Sequence, residues 1–545
     1  MDPEKVPRPQ RIKRRIIGSE NEFGATFVPT IERELLFGQE HGKAKMELLH
    51  SILPNRGKGR VFSGYCYGIL PDQAKVSFDR HILEWSSPEC DSAWELALHE
   101  SAAMDVITDG VKKFQASCPE FPKFSLHKTD RNCEPEERDP STQKRTSDNT
   151  AGSSHGNYLT FRRVTLPYLQ QLETFIVTRL PLIGNGWVEK INGTLRFVCS
   201  QRAGFLHDDV SIQAPGTTIG AVKPLLNTRD EPHAQADIWR RLHDITGNQN
   251  MSEWQLYLKY GTMDLILLLI EEETFKRPPK IIDPRFPHLW QIISFFNADP
   301  LARKKILVEG GKLWSSMDFQ FHYISEVRKL FARHPGLLTK DRKKVLRLWI
   351  KFTYAVARGR LEYLAHYLDW AAELYYLFLP SLRRLGKDLD DFIEPDPECI
   401  EAEHMLRPDT EIPTKHGGKK AESYFQQMLV EYANIDVNSA KSLYGKLIRD
   451  GFVIPLFSSA EKEHAQNSPP PNTRANRRGK IMTWVLDSRG VINTVDWTYL
   501  TITRMPRGSK SQKMLNPYLA RVKEIEEGNT EKLFTDEPMF PPSCD

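Results

Sequence analysis

The sequence predicts an α+β fold with an antiparallel sheet. Two observations carry the prediction. Short stretches with the alternating or apolar character of strands occur near residues 16–24, 76–79, 157–163 and 195–200, far apart in the chain. The segments between them are long, and their apolar residues recur at helical spacing. Well-separated strands joined by long helical excursions, with no internal repeat, fit antiparallel strands packed against helices.

Composition narrows the class. The chain has 545 residues, enough for several folding units and a large core. Its 75 Lys and Arg against 71 Asp and Glu leave a net charge of +4, too nearly balanced to suggest binding to nucleic acid or a membrane surface. There is no apolar run of the roughly 18 residues that a membrane span needs. The basic start MDPEKVPRPQRIKRR has no apolar segment behind it and does not read as a secretory signal. Seven cysteines, odd in number and without a CxxC pair, predict neither a disulfide frame nor a zinc site, and point to a reducing, cytoplasmic setting.

Taken in order, residues 1–13 read as a loose tail. Ile16-Ile17 opens a buried strand that Gly24 ends. Residues 31–52 place Leu35, Leu36, Met46, Leu48, Leu49 and Ile52 at helical spacing, and 54–60 is a loop. Val76-Ser77-Phe78-Asp79 alternates as a second strand, which Ile82-Leu83-Glu84-Trp85 is expected to continue past a bend. Ser92 is placed to cap a helix through Trp94, Leu96, Ala97, Met104 and Val106. Residues 123–150 are polar and charged and read as a long loop. A strand at 157–163, an amphipathic segment at 166–180, a strand at 195–200 and a buried helix at 254–273 follow, the last capped by Ser252. Residues 346–378 read as one or two packed helices, 393–420 as a linker, 423–453 as helix and 459–479 as a Pro-rich loop. A small sheet is expected from 483–486 and 494–502, before a flexible tail from 528.

The chemistry starts in the first strand. Glu20 and Glu22 sit two apart, so both carboxylates leave one strand face. Like charges there repel unless a cation lies between them, and hard oxygen ligands suit Mg²⁺ or Mn²⁺. A solvated face with two acids is the plainer alternative. Asp79, Glu84 and Glu89 form a second acidic group. A bend near Arg80 and His81 would bring Asp79 and Glu84 to the Glu20/Glu22 face, where one acid can act as general base while others hold metal. Surface acids at loop ends are the alternative there. Arg229, His233, Arg240, Arg241, His243 and Asn250 lie in polar, turn-forming sequence that suits phosphate, because an Arg fork matches phosphate oxygens. Pairing of Asp230 or Glu231 with Arg240 or Arg241 needs no ligand. Residues 147–158, small, polar and containing Gly152 and Gly156, form a loop able to lie against phosphate, and equally an ordinary loop. No P-loop, GxGxxG or GxSxG occurs in usable context.

Nine stretches together resemble one family. RRIIGSENEFG, SFDRHILEWSSPECDS, DNTAGSSHGNYL, CSQRAGF, LNTRDEPHAQADIWRRLHDITGNQNMSE, YLDWA, PPPNTRANRRG, VDWTYL and NPY occur in the order found in Pup (prokaryotic ubiquitin-like protein) ligases and their sibling depupylases. These are glutamine-synthetase-like carboxylate–amine ligases, and the likeness runs from about Arg14 to Tyr518. It implies a curved antiparallel sheet cradling ATP and Mg²⁺, with helices behind and a small C-terminal domain. The chain then divides into a tail (1–13), a catalytic domain (14–420), a small C-terminal domain (421–527) and a second tail (528–545).

The resemblance also implies roles for residues. Glu20, Glu22 and Glu84 are metal ligands, with His233 near them, and Asp79 is the catalytic acid residue. Arg229, Arg241, His243 and Asn250 lie on the nucleotide side, and Arg474, Arg478 and Trp497 close over it. Glu22-Phe23-Gly24, the helical stretch 349–370 and VDWTYL look more like ligases, whereas the Asp79 to Glu89 spacing looks more like depupylases. The implied activity is ATP-dependent ligation of the C-terminal glutamate side chain of a small Pup-like modifier protein to target lysines, through an acyl phosphate. A depupylase or deamidase is the alternative, and a non-catalytic relative binding nucleotide or modifier is a third. Departures are visible: His155-Gly156-Asn157-Tyr158 stands where the family reads His-Glu-Asn-Tyr, so a carboxylate is expected to be missing near the site, the loop before it is shorter, and residues 123–150 and 278–340 look expanded.

Overall fold

The computed structural model describes residues 12–28, 42–53, 60–62, 67–79, 82–129, 153–164, 171–191, 193–211, 223–227, 231–272, 276–390, 392–393, 406–414, 417–488, 491–504, 508–514 and 517–522, with Ile525 and Glu527. The first twelve strands are β1 (Ile17–Val28), β2 (Arg60–Phe62), β3 (Tyr67–Ile69), β4 (Lys75–Asp79), β5 (Ile82–Ser86), β6 (Lys123–His127), β7 (Ser154–Phe161), β8 (Trp187–Ile191), β9 (Thr194–Val198), β10 (Leu206–Ser211), β11 (Lys223–Asn227) and β12 (Trp239–Asp244). Ten of them form one sheet in the order β10-β11-β12-β7-β1-β5-β4-β3-β2, with β6 pairing the far half of β1. Its pairs are antiparallel except β10–β11, which run parallel. The predicted α+β class therefore holds, with that one pair as an exception.

β1 is the spine of the sheet, because its residues alternate cleanly. Ile17, Ser19, Asn21 and Phe23 are buried on the back face, and Glu20 and Glu22 point to the front. Two helices cover the back. Ala93–Ser117 starts at Ser92, whose hydroxyl accepts the Glu95 amide at 3.2 Å, and Glu253–Glu271 starts at Ser252, which accepts the Gln255 amide at 3.3 Å. The second helix is buried on every side, which explains its uninterrupted apolar sequence. No helix among the described residues is long and apolar enough to cross a membrane.

Several segments differ from the expectation. β5 does not extend β4 past a bend; it folds back beside it, pairing Asp79 with Ile82 and Ser77 with Glu84. Lys123–His127 is a strand rather than the start of a loop, since Phe124 and Leu126 alternate inward between polar residues; residues 130–150 of that expected loop lie outside the described residues. The helix expected over 31–52 is seen as Gly42–Ile52, and 29–41 are outside the description. Residues 423–453 form two helices, Ala421–Tyr432 and Leu443–Arg449. The expected Pro-rich loop at 459–479 holds the helix Ser459–Asn467, closed by a Ser458/Glu461 capping box, and the start of Arg474–Asp487. Residues 483–486 belong to that second helix and not to a strand, because Ile481, Met482 and Val485 make one buried helical face.

Packing follows two main clusters. Phe425, Leu429, Tyr432 and Tyr444, in the segment predicted to open a C-terminal domain, lie in the large core with the sheet and its helices. The separate cluster gathers Ile481, Met482, Val485, Ile492 and Leu500 onto Tyr67 and Ile69 of β3. The strands Val491–Val495, Tyr499–Arg504 and Gly508–Lys513 complete that unit.

Candidate active site

The sheet register brings the acids into contact. Glu22 on β1 lies directly opposite Glu84 on β5, and Asp79 ends the neighbouring strand on the same face. Like charges directly opposed on a sheet are destabilising. One carboxylate oxygen from each of Glu22, Asp79 and Glu84 lies within 4.8 Å of the others. The consequence shows in Glu84, whose carboxyl is pushed up to about 8 by burial and then by the charges of Glu20, Glu22 and Asp79.

A second group adjoins the first. Glu20, His155 and His243 offer ligand atoms within 4.8 Å of one another. His155 Nδ1 lies 3.3 Å from Glu20 Oε2, and His243 Nε2 lies 3.7 Å from it. Burial works to raise the Glu20 carboxyl, but the His155 hydrogen bond and the charges of His243 and Arg241 outweigh it and hold the group well below the usual range. Burial, then His155, pushes His243 down to about 3. Neither ring nitrogen of His243 makes a hydrogen bond among the described residues. Ser153 joins the two groups: its hydroxyl donates to Glu22 Oε2 at 2.6 Å and lies 2.8 Å from His155 Nε2.

These residues fit a divalent cation. Three converging carboxylates, one of them pushed toward its protonated form by burial and then by its neighbours, lack a counter-charge, and hard oxygens match Mg²⁺. The unpartnered nitrogens of His243 offer further ligand atoms.

A cleft opens beside the cluster. Ile16, Leu159, Pro88 and Trp497 give it apolar walls, and Glu20 belongs to both the cleft and the second ligand group. Arg241 also lines it, with Nη1 donating to Asn157 Oδ1 at 3.1 Å and lying 3.6 Å from Glu20 Oε1. The lining, apolar with a few convergent polar groups, is that of a small-molecule site.

The sequence-predicted residues divide accordingly. Glu20, Glu22, Asp79 and Glu84 are together, with Arg241 and His243 beside them. His233, Arg474 and Trp497 line the cleft, and His233 is in neither ligand group. Arg478 stands behind Arg474, both paired with Glu89. Glu89 is therefore no member of the acidic cluster; burial works to raise it, but Arg478 and Arg474 hold it down at about 2. Asn250 is buried in the core, where its amide donates to Asp369 Oδ2 at 3.1 Å and to the Ile183 carbonyl at 3.0 Å, so it does not line the cleft. Arg229 lies outside the described residues. Sequence reasoning missed His155 as a candidate ligand. The signal was the alternation of His155 and Asn157 in β7, hidden because Ser153, Ser154 and Gly156 make the stretch look like a loop.

The Gly156 departure has a simple geometry. Gly156 faces the back of the sheet, opposite in direction to His155 and Asn157, and a Cβ there would come within 2.8 Å of the Tyr158 ring. A carboxylate at this position would point away from the acidic face.

A family model described as Pup-ligase protein matches residues 15–391 and 410–501. The chain belongs to this family. The family match takes in β1, β4, β5, β7 and β12, which carry the two groups of candidate ligands, and extends over Arg474, Arg478 and Trp497. Similar relatives include the Pup–protein ligase of Acidimicrobium ferrooxidans, 28% identical over 498 residues, 90% of this chain and 93% of the relative. The Pup–protein ligase of Kineococcus radiotolerans is 27% identical over 499 residues, again 90% and 93% of the two chains. Among solved structures, the ligase PafA in complex with Pup matches with a TM-score of 0.71 at 20% identity, covering 96% of this chain and 93% of that one. PafA in complex with ADP matches with a TM-score of 0.64 at 20% identity, covering 85% and 89%. At that identity the structural likeness establishes the Pup-ligase fold.

Proposed function

We propose that this member of the Pup-ligase family is a cytoplasmic, ATP-dependent ligase that joins the C-terminal glutamate side chain of a Pup-like modifier to lysines of target proteins. The observation that carries the reading is the convergence of Glu22, Asp79 and Glu84 beside a cleft that shares Glu20. Relatives named Pup–protein ligase, a ligase solved with Pup and the same ligase solved with ADP support the modifier and the nucleotide.

Each residue then has a task. Glu20, Glu22 and Glu84 would hold Mg²⁺, with His155 and His243 as the nearest nitrogen donors. Bound Mg²⁺ supplies charge neutralisation for the triphosphate. The apolar walls with Trp497 suit the adenine, and Arg241 suits the phosphates. His233, which lines the cleft outside both ligand groups, is assigned to the nucleotide rather than to metal.

The chemistry needs two steps, because a carboxylate does not condense with an amine in water. The modifier's glutamate carboxylate attacks the terminal phosphoryl group of ATP, forming an acyl phosphate and releasing ADP. The lysine amine attacks the acyl carbon, phosphate leaves, and Asp79 takes the proton from the amine, which is otherwise mostly charged near neutrality.

The test is one incubation with ATP, Mg²⁺ and a lysine-bearing acceptor, with the modifier ending in glutamate or in glutamine. A conjugate from the glutamate form that consumes ATP and is lost in Asp79→Ala is the expected result. Ammonia released from the glutamine form, or breakdown of a preformed conjugate without net ATP use, would make the protein a hydrolase. ATP bound with neither reaction would leave a non-catalytic binder.

A further inference from the structure

The helix Arg474–Asp487 meets the sheet through the buried carboxylate of Glu89. Glu89 Oε1 accepts from Arg474 Nε at 2.5 Å and from Arg478 Nη1 at 3.1 Å, and Oε2 accepts from Arg478 Nη2 at 2.9 Å. The Thr473 hydroxyl adds a bond to the Glu89 carbonyl at 2.8 Å. Each guanidinium then reaches a further segment. Arg474 Nη1 donates to the carbonyls of His233 and of Met514, the latter at 2.9 Å. Arg478 donates to the Gln73 side-chain oxygen at 3.3 Å and to the Trp497 carbonyl at 3.3 Å, and lies 5.4 Å from the centre of the Trp497 ring.

An independent observation marks the same contacts. Among the described residues, three non-glycine residues have a left-handed backbone: Gln73 (φ 73°), His233 (φ 46°) and Ala302 (φ 53°). Two of the three accept hydrogen bonds from this arginine pair. Strained backbone of this kind persists only where its surroundings over-determine it, and it gathers at ligand clamps. At His233 the surroundings are Arg474, oriented by Glu89 and donating to the His233 carbonyl, whereas Gln73 is turned by the β3–β4 hairpin, where its amide donates to the Leu70 carbonyl at 2.9 Å. His233 and Trp497, which the pair holds, both line the cleft.

We propose that Glu89 is a positioning residue for nucleotide binding: it aims Arg474 and Arg478 so that His233 and Trp497 form the cleft wall. This rests on the reading that the cleft takes ATP. It also changes the part given to the two arginines. Their forks are committed to buried protein oxygens, so they act as struts that hold the wall.

The experiment is calorimetric titration of ADP into the full chain and into Glu89→Gln, Arg474→Gln and the double variant, with KM for ATP and kcat measured in parallel. Breaking a buried charge-assisted contact is expected to weaken ADP binding and raise KM for ATP about tenfold or more, with kcat changed much less. Because the residues act as one unit, the double variant is expected to bind no more weakly than the worse single variant. Hydrogen exchange is expected to quicken at 474–487 and 231–234 and to stay unchanged at Glu253–Glu271. Glu89→Asp, which keeps the charge but shortens its reach, is expected to lose less and serves if Glu89→Gln does not fold. Additive losses, or Glu89 variants that bind ADP like the unsubstituted chain, would overturn the role of Glu89. An unsubstituted chain that takes up no ADP would instead overturn the nucleotide reading beneath it.

Discussion

Glu84 is the residue whose chemistry reports most directly on the site. Its carboxyl is raised from 4.5 to about 8, by burial and then by Glu20, Glu22 and Asp79. A raised carboxyl means that the folded state holds the proton more tightly than the unfolded one. Its contribution to stability is therefore complete below about 4.5 and is lost as pH rises through 8. A cation must displace that proton, so apparent Mg²⁺ affinity falls by about tenfold per pH unit below that value. Thermal melts with and without Mg²⁺ across this range check both: the metal-free Tm should fall as pH rises, Mg²⁺ should restore most at the alkaline end, and Glu84→Gln should flatten both trends. Gly156 gives a second test. Its missing side chain would face Tyr158 and not the acids, so Gly156→Glu should cost about 1–3 kcal/mol by overpacking and leave Mg²⁺ affinity no stronger. Equilibrium unfolding and a metal titration measure the two parts. Glu20 and Glu22 were legible from spacing alone, because period two fixes which face a strand residue leaves by. His155 was not, because a strand in the sheet interior tolerates Ser and Gly that a sequence pattern reads as loop.

At the scale of elements, β1 is positioned by what its N-terminal flank buries. Arg15 is 1% exposed and pairs with Asp264 at 2.8 Å and with Glu271 at 2.7 Å, both on the central helix, while Arg342 joins Asp264 at 2.7 Å. Removing one partner leaves buried charge uncompensated, which costs about 3–5 kcal/mol. Arg15→Met should lower unfolding free energy by that amount, read from urea melts, and should reduce activity only as far as β1 loses order. The two capped helices behind the sheet were legible because Ser92 and Ser252 precede long apolar runs. The C-terminal helix Arg474–Asp487 was not: a proline-rich approach and the β-favouring residues Thr483, Trp484 and Val485 mimic a loop and a strand. Tertiary packing on β3 decides that helix, and no local pattern reports it.

In the whole molecule, the chemistry sits where two hydrophobic clusters meet one sheet. The larger cluster fixes the carboxylates from behind, and the smaller brings Trp497 and Arg474 to the edge of the cleft. The family was legible through collinear motifs spread along nearly the entire chain, although the parallel β10–β11 pair and the reach of the main core past residue 421 were not. Those depend on contacts between segments far apart in sequence. The central claim is that this arrangement activates a carboxylate with ATP and then hands it to an amine. The most direct measurement labels the modifier's glutamate side-chain oxygens with a heavy isotope and follows the phosphate released during conjugation. Passage through an acyl phosphate predicts one labelled oxygen in each phosphate, in step with conjugate formed and abolished in Asp79→Ala. Conjugate formed with unlabelled phosphate, or with no ATP consumed, would contradict the account.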